Sequence, residues 1–510
     1  VCRSSYSERI RNTLTMFSAT ALQNWKDYAR KLLTMKNPYT GLSMAEDPAL
    51  FALNLDNEAA LYHTWNAHPQ LLPLIEKVYA DYLRTKGKYS PGDEKKRGPE
   101  FYVFRKDRHI RIEPEPMRYL REELGGKAFL TNLNNNATLD LQPFRAELDL
   151  VDAHIYHDHP SYPRNNWNVP IAGTQRSATA DGNPSVMKNM MTRIPGKPMI
   201  ITELQFCYPN RFRSEIAAMT GAYAALQDWD GLYRFAYGHS RKVFRKTPAG
   251  SFDHIYEPLG ILTGRIMYFL FIRGDVAAAP GPVLCEGWRN PVRGDNFDPD
   301  FCNLGFFSKI GSAPLGADIP GAEILPPESW KRALPNPLAE QFRHYQKTGT
   351  AVSATGEIRL DRKAARVSVV TPKSELFTFP GGSAEGRFMT VRRSLDFSTV
   401  SVHAFDDRPL GTSRDILLFH LTDALNSGTV FQNEEARLIL DNGSLPLLAA
   451  RGRAEITLNV DPDASGWTVQ AIALDGSVLA AVPAEQRDGK LWFQINDFNP
   501  AGVTMLYRIA

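Results

Sequence analysis

Residues 53–61 read LNLDNEAAL, a short apolar run that stops on the adjacent amide and carboxylate of Asn57 and Glu58. Polar residues at the end of a buried strand ordinarily cap the turn or helix that follows, and for one such ending capping is the better explanation. The pattern recurs, however. Apolar runs at 50–55, 128–133, 148–156, 199–206 and 231–237 read as strands, and helical patterns fall between them at about 70–84, 116–124, 186–192 and 214–227, with another at 18–35. A charged loop, GDEKKRGPE, follows the helix at 70–84. Strand, helix, strand at this spacing implies crossover connections and a parallel sheet. The five strands end in Asn57-Glu58, in Asn132-Leu133-Asn134-Asn135-Asn136, in His154-Ile155-Tyr156-His157-Asp158-His159, in Thr202-Glu203-Leu204-Gln205 and in Phe235-Ala236-Tyr237-Gly238-His239. Parallel α/β sheets and barrels carry their sites at the carboxyl ends of the strands, so five polar endings in succession predict one shared polar pocket.

A chain of 510 residues holds two or three domains of ordinary size. With 59 Lys and Arg against 56 Asp and Glu, the net charge of +3 argues against nucleic acid as the main partner. Cys2, Cys207, Cys285 and Cys302 show no CxxC spacing, and a pairing of Cys285 with Cys302 competes with two buried thiols. HExxH, GxGxxG and P-loop patterns are absent, and no cofactor is expected. The apolar run 266–272 is far below the ~20 residues that cross a bilayer and predicts a core helix, with no membrane partner. The opening VCRSSYSERIRNTL has neither a basic nor an apolar leader segment, so a secreted or periplasmic protein, the location favoured over the cytoplasm, has lost its leader or carries it outside this chain.

Three regions are expected: an α/β domain over 1–280, a Pro- and Gly-rich connecting region over 281–350, and one or two antiparallel β-sandwich domains over 351–510. In the last, short alternating runs at 454–460, 467–474 and 491–495 and turns at Asp441-Asn442-Gly443 and Asp475-Gly476 are the β signals.

Two of the five strand ends carry a glutamate. Paired carboxylates across a pocket suit glycosidic bond cleavage, one protonating the leaving oxygen while the other stabilises or attacks the oxocarbenium-like centre. The stretches NPYTGLSMAEDPALFALNLDNEAAL, DLVDAHIYHDHP and GKPMIITELQFCYPNRFRSE resemble the clan of retaining glycoside hydrolases built on the (β/α)8, or TIM, barrel, with Asn-Glu ending strand four and a second Glu ending strand seven. The resemblance covers roughly residues 18–275 and implies that Glu58 is the acid/base, Glu203 the nucleophile and Asn57 a contact to the substrate 2-hydroxyl. Tyr156 is similar to the clan tyrosine that hydrogen-bonds the nucleophile, and the strands at 128–133 and 148–156 supply the two that intervene. Phe235 or Tyr237 stands where the clan often has a strand-eight Trp, and only one helix precedes the first strand, so strands one to three are expected from a preceding segment or a second chain.

Beyond the pair, Asn134, His154, His157 and His159 are candidate contacts to sugar hydroxyls; a metal reading of the histidines is disfavoured because alternate side chains on a strand point to opposite faces. Trp167, Tyr162 and Tyr208 lie on loops suited to a sugar platform or to local packing. Arg164, Arg176, Arg211 and Arg213 fit a solvated rim better than an anion site, and Glu215 is expected to be a first-turn helix carboxylate, a decoy for the nucleophile. The competing functional class is a non-catalytic carbohydrate-binding protein. A hydrolase of other bonds lacks support, since no GxSxG elbow is present.

Overall fold

The computed structural model describes residues 13–59, 69–135, 137–164, 167–182, 184–287, 297–499 and 501–510. The chain is a mixed α/β protein with a large antiparallel region at its C-terminal end.

Five short parallel strands follow one another: β1 (Ala52–Asn54), β2 (Phe129–Thr131), β3 (Val151–His157), β4 (Met199–Phe206) and β5 (Gly231–Arg234). β1 pairs with β2, and β4 lies between β3 and β5. The two groups are joined where the Asp149 N–H donates to the Leu130 carbonyl at 3.0 Å and the His154 N–H to the Asn134 carbonyl at 2.7 Å, so the strands run in chain order. Among the described residues no strand pairs with the outer edge of β1 or of β5. Val151, Ala153, Ile155, Leu204 and Phe206 turn one face of β3 and β4 into the principal core, as the apolar runs predict.

Helices α1 (Ala19–Leu33), α2 (Leu72–Thr85), α3 (Pro99–Ile112), α4 (Pro184–Met190) and α5 (Pro258–Met267) pack around these strands. The Ser18 hydroxyl accepts from the Ala21 N–H at 3.2 Å and starts α1. α3 is not foreseen by the sequence reading, and the reason is visible in its inner face: Phe101, Phe104, Arg105 and His109 recur at helical spacing, but two of the four are polar, so no apolar stripe announces the helix. The stretch predicted as one helix over 214–227 is instead a 3₁₀ turn (Arg213–Glu215), a π-helical segment (Ala217–Ala222) and a short α-helical end (Tyr223–Leu226).

Residues 281–350 are more than a connection. Ile310–Ala313, Val283–Glu286 and Glu323–Leu325 form a three-stranded parallel sheet. It braces the amino-terminal side of the main array: the Gln227 side chain, just ahead of β5, donates to the Ser308 carbonyl at 2.7 Å and accepts from the Ile310 N–H at 2.9 Å. Cys207, Cys285 and Cys302 are buried free thiols, so the Cys285–Cys302 pairing does not form; Cys2 lies outside the described residues.

Beyond Gly349, a nine-stranded antiparallel sheet faces a five-stranded one made of β6 (Gly382–Glu385), β7 (Met389–Ser394), β8 (Arg453–Asn459), β9 (Ala484–Arg487) and β10 (Lys490–Asn496), ordered β6-β7-β8-β10-β9. The larger sheet is apolar on both sides. Leu376, Phe419 and Leu421 join the core of the α/β part, while Phe377, Phe379 and Leu418 pack into the core between the sheets. No helix among the described residues is long and apolar enough to cross a membrane.

Candidate active site

The polar strand ends have two jobs. Glu58, Leu133 and Asp158, just past β1, β2 and β3, adopt left-handed φ values of 51°, 66° and 54°. Each turn is held by a side chain. The Asn134 Oδ1 accepts from the Glu58 N–H at 2.9 Å, and the Asn132 Oδ1 accepts from the Leu133 N–H at 2.9 Å. Asp158 accepts from the Gln175 N–H at 2.9 Å and the Asn210 amide at 2.8 Å. Asn134 is thus buried beneath the Glu58 turn that it holds, and its amide also lies 3.5 Å from the Oδ1 of the exposed Asn57.

A bulge in β4 aims the second carboxylate. Ala153 is opposite Ile201 but His154 is opposite Glu203, and on the other side Leu232 faces Ile201 while Arg234 faces Leu204, leaving Thr202 without a counterpart on either neighbour. The buried Asp152 secures the extra residue by accepting from the Thr202 hydroxyl at 2.7 Å and its N–H at 3.3 Å. Burial raises the Asp152 carboxyl pKa against the effect of these bonds.

The result is a convergence of three groups. The His154 Nδ1 lies 3.2 Å from the Glu58 Oε1 and 3.3 Å from the Glu203 Oε2, and one ligand atom from each of the three side chains lies within 4.8 Å of the other two. The His154 side chain is only 3% exposed, against 28% for Glu58 and 16% for Glu203, so the imidazole forms the base of the site and the carboxylates its open side. The Tyr156 hydroxyl donates to the Glu203 Oε2 at 2.5 Å. Burial first, then the bond to Glu203, pushes the phenol pKa up, which keeps Tyr156 a protonated donor. The Glu58, His154 and Glu203 set is also the one cluster of this kind among the described residues that could hold a metal ion.

Aromatic rings wall one side. Tyr156 meets His159, Phe252 and Phe235 edge-on at centroid distances of 5.1, 5.6 and 6.2 Å. Phe252 also contacts His159, Phe235 and the exposed Trp167, which itself packs on Tyr162 at 4.9 Å. Its carbonyl is fixed by the Ala236 N–H at 2.9 Å and the Gln205 amide at 3.0 Å. Sequence reasoning missed Phe252, which stands in the turn-rich stretch TPAGSFDH well past β5 and outside any periodic pattern.

Other expectations are redirected. His157 lies on the face of β3 opposite His154, beside Phe206, donates from Nε2 to the Arg176 carbonyl at 2.8 Å, and is held neutral by burial, which lowers its pKa. Tyr237 packs on His254 and does not join the Tyr156–Phe252 cluster. Tyr208 is a packing anchor, buried, with its hydroxyl accepting from the Asn426 N–H at 3.1 Å. Arg213 is no rim residue; it is buried between Glu257 at 2.9 Å and Asp423 at 2.5 Å.

Glu215, the decoy, is fully buried and accepts from the Ser177 hydroxyl at 2.6 Å and the Thr179 N–H at 3.1 Å. Burial pushes its carboxyl from 4.5 up to about 7. Below the lower value both states are protonated; between the two only the unfolded chain ionises, so stability falls as pH rises through this window, by about 3 kcal/mol in all. Glu215→Gln is expected to flatten the fall in Tm between about pH 4.5 and about pH 7.5, with Glu113, also raised to about 7 by burial, retaining part of the slope.

No protein-family model matches the chain, and a search of curated proteins returns no significantly similar sequence.

Proposed function

We propose that the protein is a retaining glycoside hydrolase that cleaves an oligo- or polysaccharide by double displacement, with the five-strand array corresponding to strands four to eight of a (β/α)8 barrel. One observation carries this reading: carboxylate oxygens of Glu58, just past β1, and Glu203, on β4, lie within 4.8 Å of each other although two strands stand between them. Retaining enzymes need about 5–5.5 Å between the pair, whereas inverting enzymes need about 6.5–9.5 Å to admit a water.

Glu203 attacks the anomeric carbon as Glu58 protonates the departing oxygen, giving a glycosyl ester on Glu203. Glu58, now a carboxylate, takes a proton from water, which attacks the same carbon and frees Glu203. The bond from Tyr156 engages the Glu203 Oε2 and leaves Oε1 as the attacking atom. His154, 3.2 Å from one carboxylate and 3.3 Å from the other, fixes their spacing from below. The aromatic wall of Phe235, Phe252 and Trp167 offers the apolar faces against which pyranose rings stack.

The same convergence favours a second reading, a divalent cation held by Glu58, His154 and Glu203. Two measurements separate them. Hydrolysis of a panel of aryl glycosides followed by NMR is expected to show the retained anomer as first product, with rates unchanged by a chelator. An inverted first product, or activity that chelation removes and a divalent metal restores, overturns the hydrolase mechanism; glycan binding without cleavage assigns the non-catalytic class.

A further inference from the structure

A second ligand-binding feature lies on the exposed face of the five-stranded sheet, away from the strand-end glutamates. Alternation puts Met389, Val391, Ile456, Leu458, Leu491 and Phe493 in the core, which turns the residues between them outward. Register then aligns them. Glu385 is opposite Thr390, Thr390 opposite Thr457, Thr457 opposite Trp492, and Trp492 opposite Glu485, so one row crosses all five strands. Four inter-strand spacings make this row about 19 Å long.

The row is the floor of a trough of about 760 Å³. Trp492, 40% exposed, is its one large apolar group. Beside the indole the two threonines are short, which leaves the ring face accessible above them, and hydroxyl, amide and charged groups surround it. Glu385, Glu485 and Asp488 are balanced by Arg392, Arg487 and Lys490, so the trough carries no net charge.

These features select the ligand. A nucleic acid or acidic polymer needs a cationic surface, which the balance of charges denies. A protein partner needs a contiguous apolar patch, and a single indole is not one. A chain of neutral sugars presents an apolar ring face to stack on Trp492 and a belt of hydroxyls that both donate and accept, matching groups of both kinds along the row. We infer that the outer face of β6-β7-β8-β10-β9 is a binding site for a neutral oligosaccharide chain lying across the strands, centred on Trp492. This site stands apart from the catalytic reading, because neither glutamate contributes to it.

The test is affinity electrophoresis of the full chain carrying Glu203→Gln, in native gels containing barley mixed-linkage β-glucan, arabinoxylan or galactomannan, with polygalacturonate as the anionic control. Retardation by at least one neutral polysaccharide is expected. Trp492→Ala should weaken it about tenfold, with Trp492→Phe retaining most of it. Equal migration of the Trp492→Ala and parent proteins overturns the inference, as does retardation by polygalacturonate alone or by none of the polysaccharides. A dimer in size-exclusion chromatography that Trp492→Ala dissociates also overturns it, by giving the face to a second copy. Because the row is exposed, an unchanged Tm in Trp492→Ala excludes misfolding as the cause of lost retardation.

Discussion

Glu203→Ala is expected to lower turnover of aryl glycosides by at least about 10⁴-fold, a rise of roughly 5 kcal/mol in the barrier. The size follows from the role: without the carboxylate no covalent glycosyl intermediate forms, and the methyl side chain offers no substitute nucleophile. Sodium azide, small enough for the vacated space, should restore activity and yield a glycosyl azide of inverted anomeric configuration, because it attacks from the side Glu203 occupied. Glu203→Gln keeps the shape and the place beside Tyr156 and His154, so it should be as inactive but without rescue. Turnover in either variant close to that of the unaltered protein removes Glu203 from the mechanism.

Glu58→Ala should show a different signature. The loss in kcat/KM is about 10²- to 10⁴-fold with poor leaving groups, which need a proton, and small with 2,4-dinitrophenyl glycosides, which do not, while kcat with the latter falls because the second step has lost its base. Azide should give the retained glycosyl azide, since here it replaces the water of the second step. The fall in rate at alkaline pH, where a general acid loses its proton, should vanish with the side chain. A leaving-group-independent loss would mean that Glu58 acts only through the position of its neighbours. Asn134→Ala supplies the comparison: releasing the Glu58 N–H frees the left-handed turn and should damage both steps together.

Much of this arrangement could be read from residues alone, for reasons that are physical. Strands at 151–157 and 199–206 set buried apolar residues such as Val151, Ala153, Ile155, Leu204 and Phe206 among polar ones, and apolar residues at strand spacing that end in His, Glu and Gln stand out in a sequence. The alternation of β8 and β10 was equally plain, since one face is core and the other solvent. What stayed hidden depends on contacts between distant segments. Nothing in Thr202 marks it as the extra residue of a bulge; its role arises only when Asp152 lies alongside. His154 looked like one of three similar histidines, yet it separates two carboxylates, while His157 belongs to the opposite face of the same strand. Phe252 and the polar-faced α3 carry no local signal for the same reason.

The short strand at Ile171–Ala172, on the loop after β3, pairs with Leu438–Asp441 of the C-terminal region, and Gly173 donates to the Arg437 carbonyl at 2.8 Å. Nearby, Asn426 grips both the N–H and the carbonyl of Ala249, at 2.8 and 3.0 Å, three residues ahead of Phe252. The carpentry of the aromatic wall is thus shared between parts of the chain that look like separable modules. A shortened chain ending near residue 350 would keep both glutamates yet lose the dowels that seat Phe252 and the Trp167 loop. Engineers exchanging the C-terminal appendage would here be rebuilding the walls of the strand-end cleft.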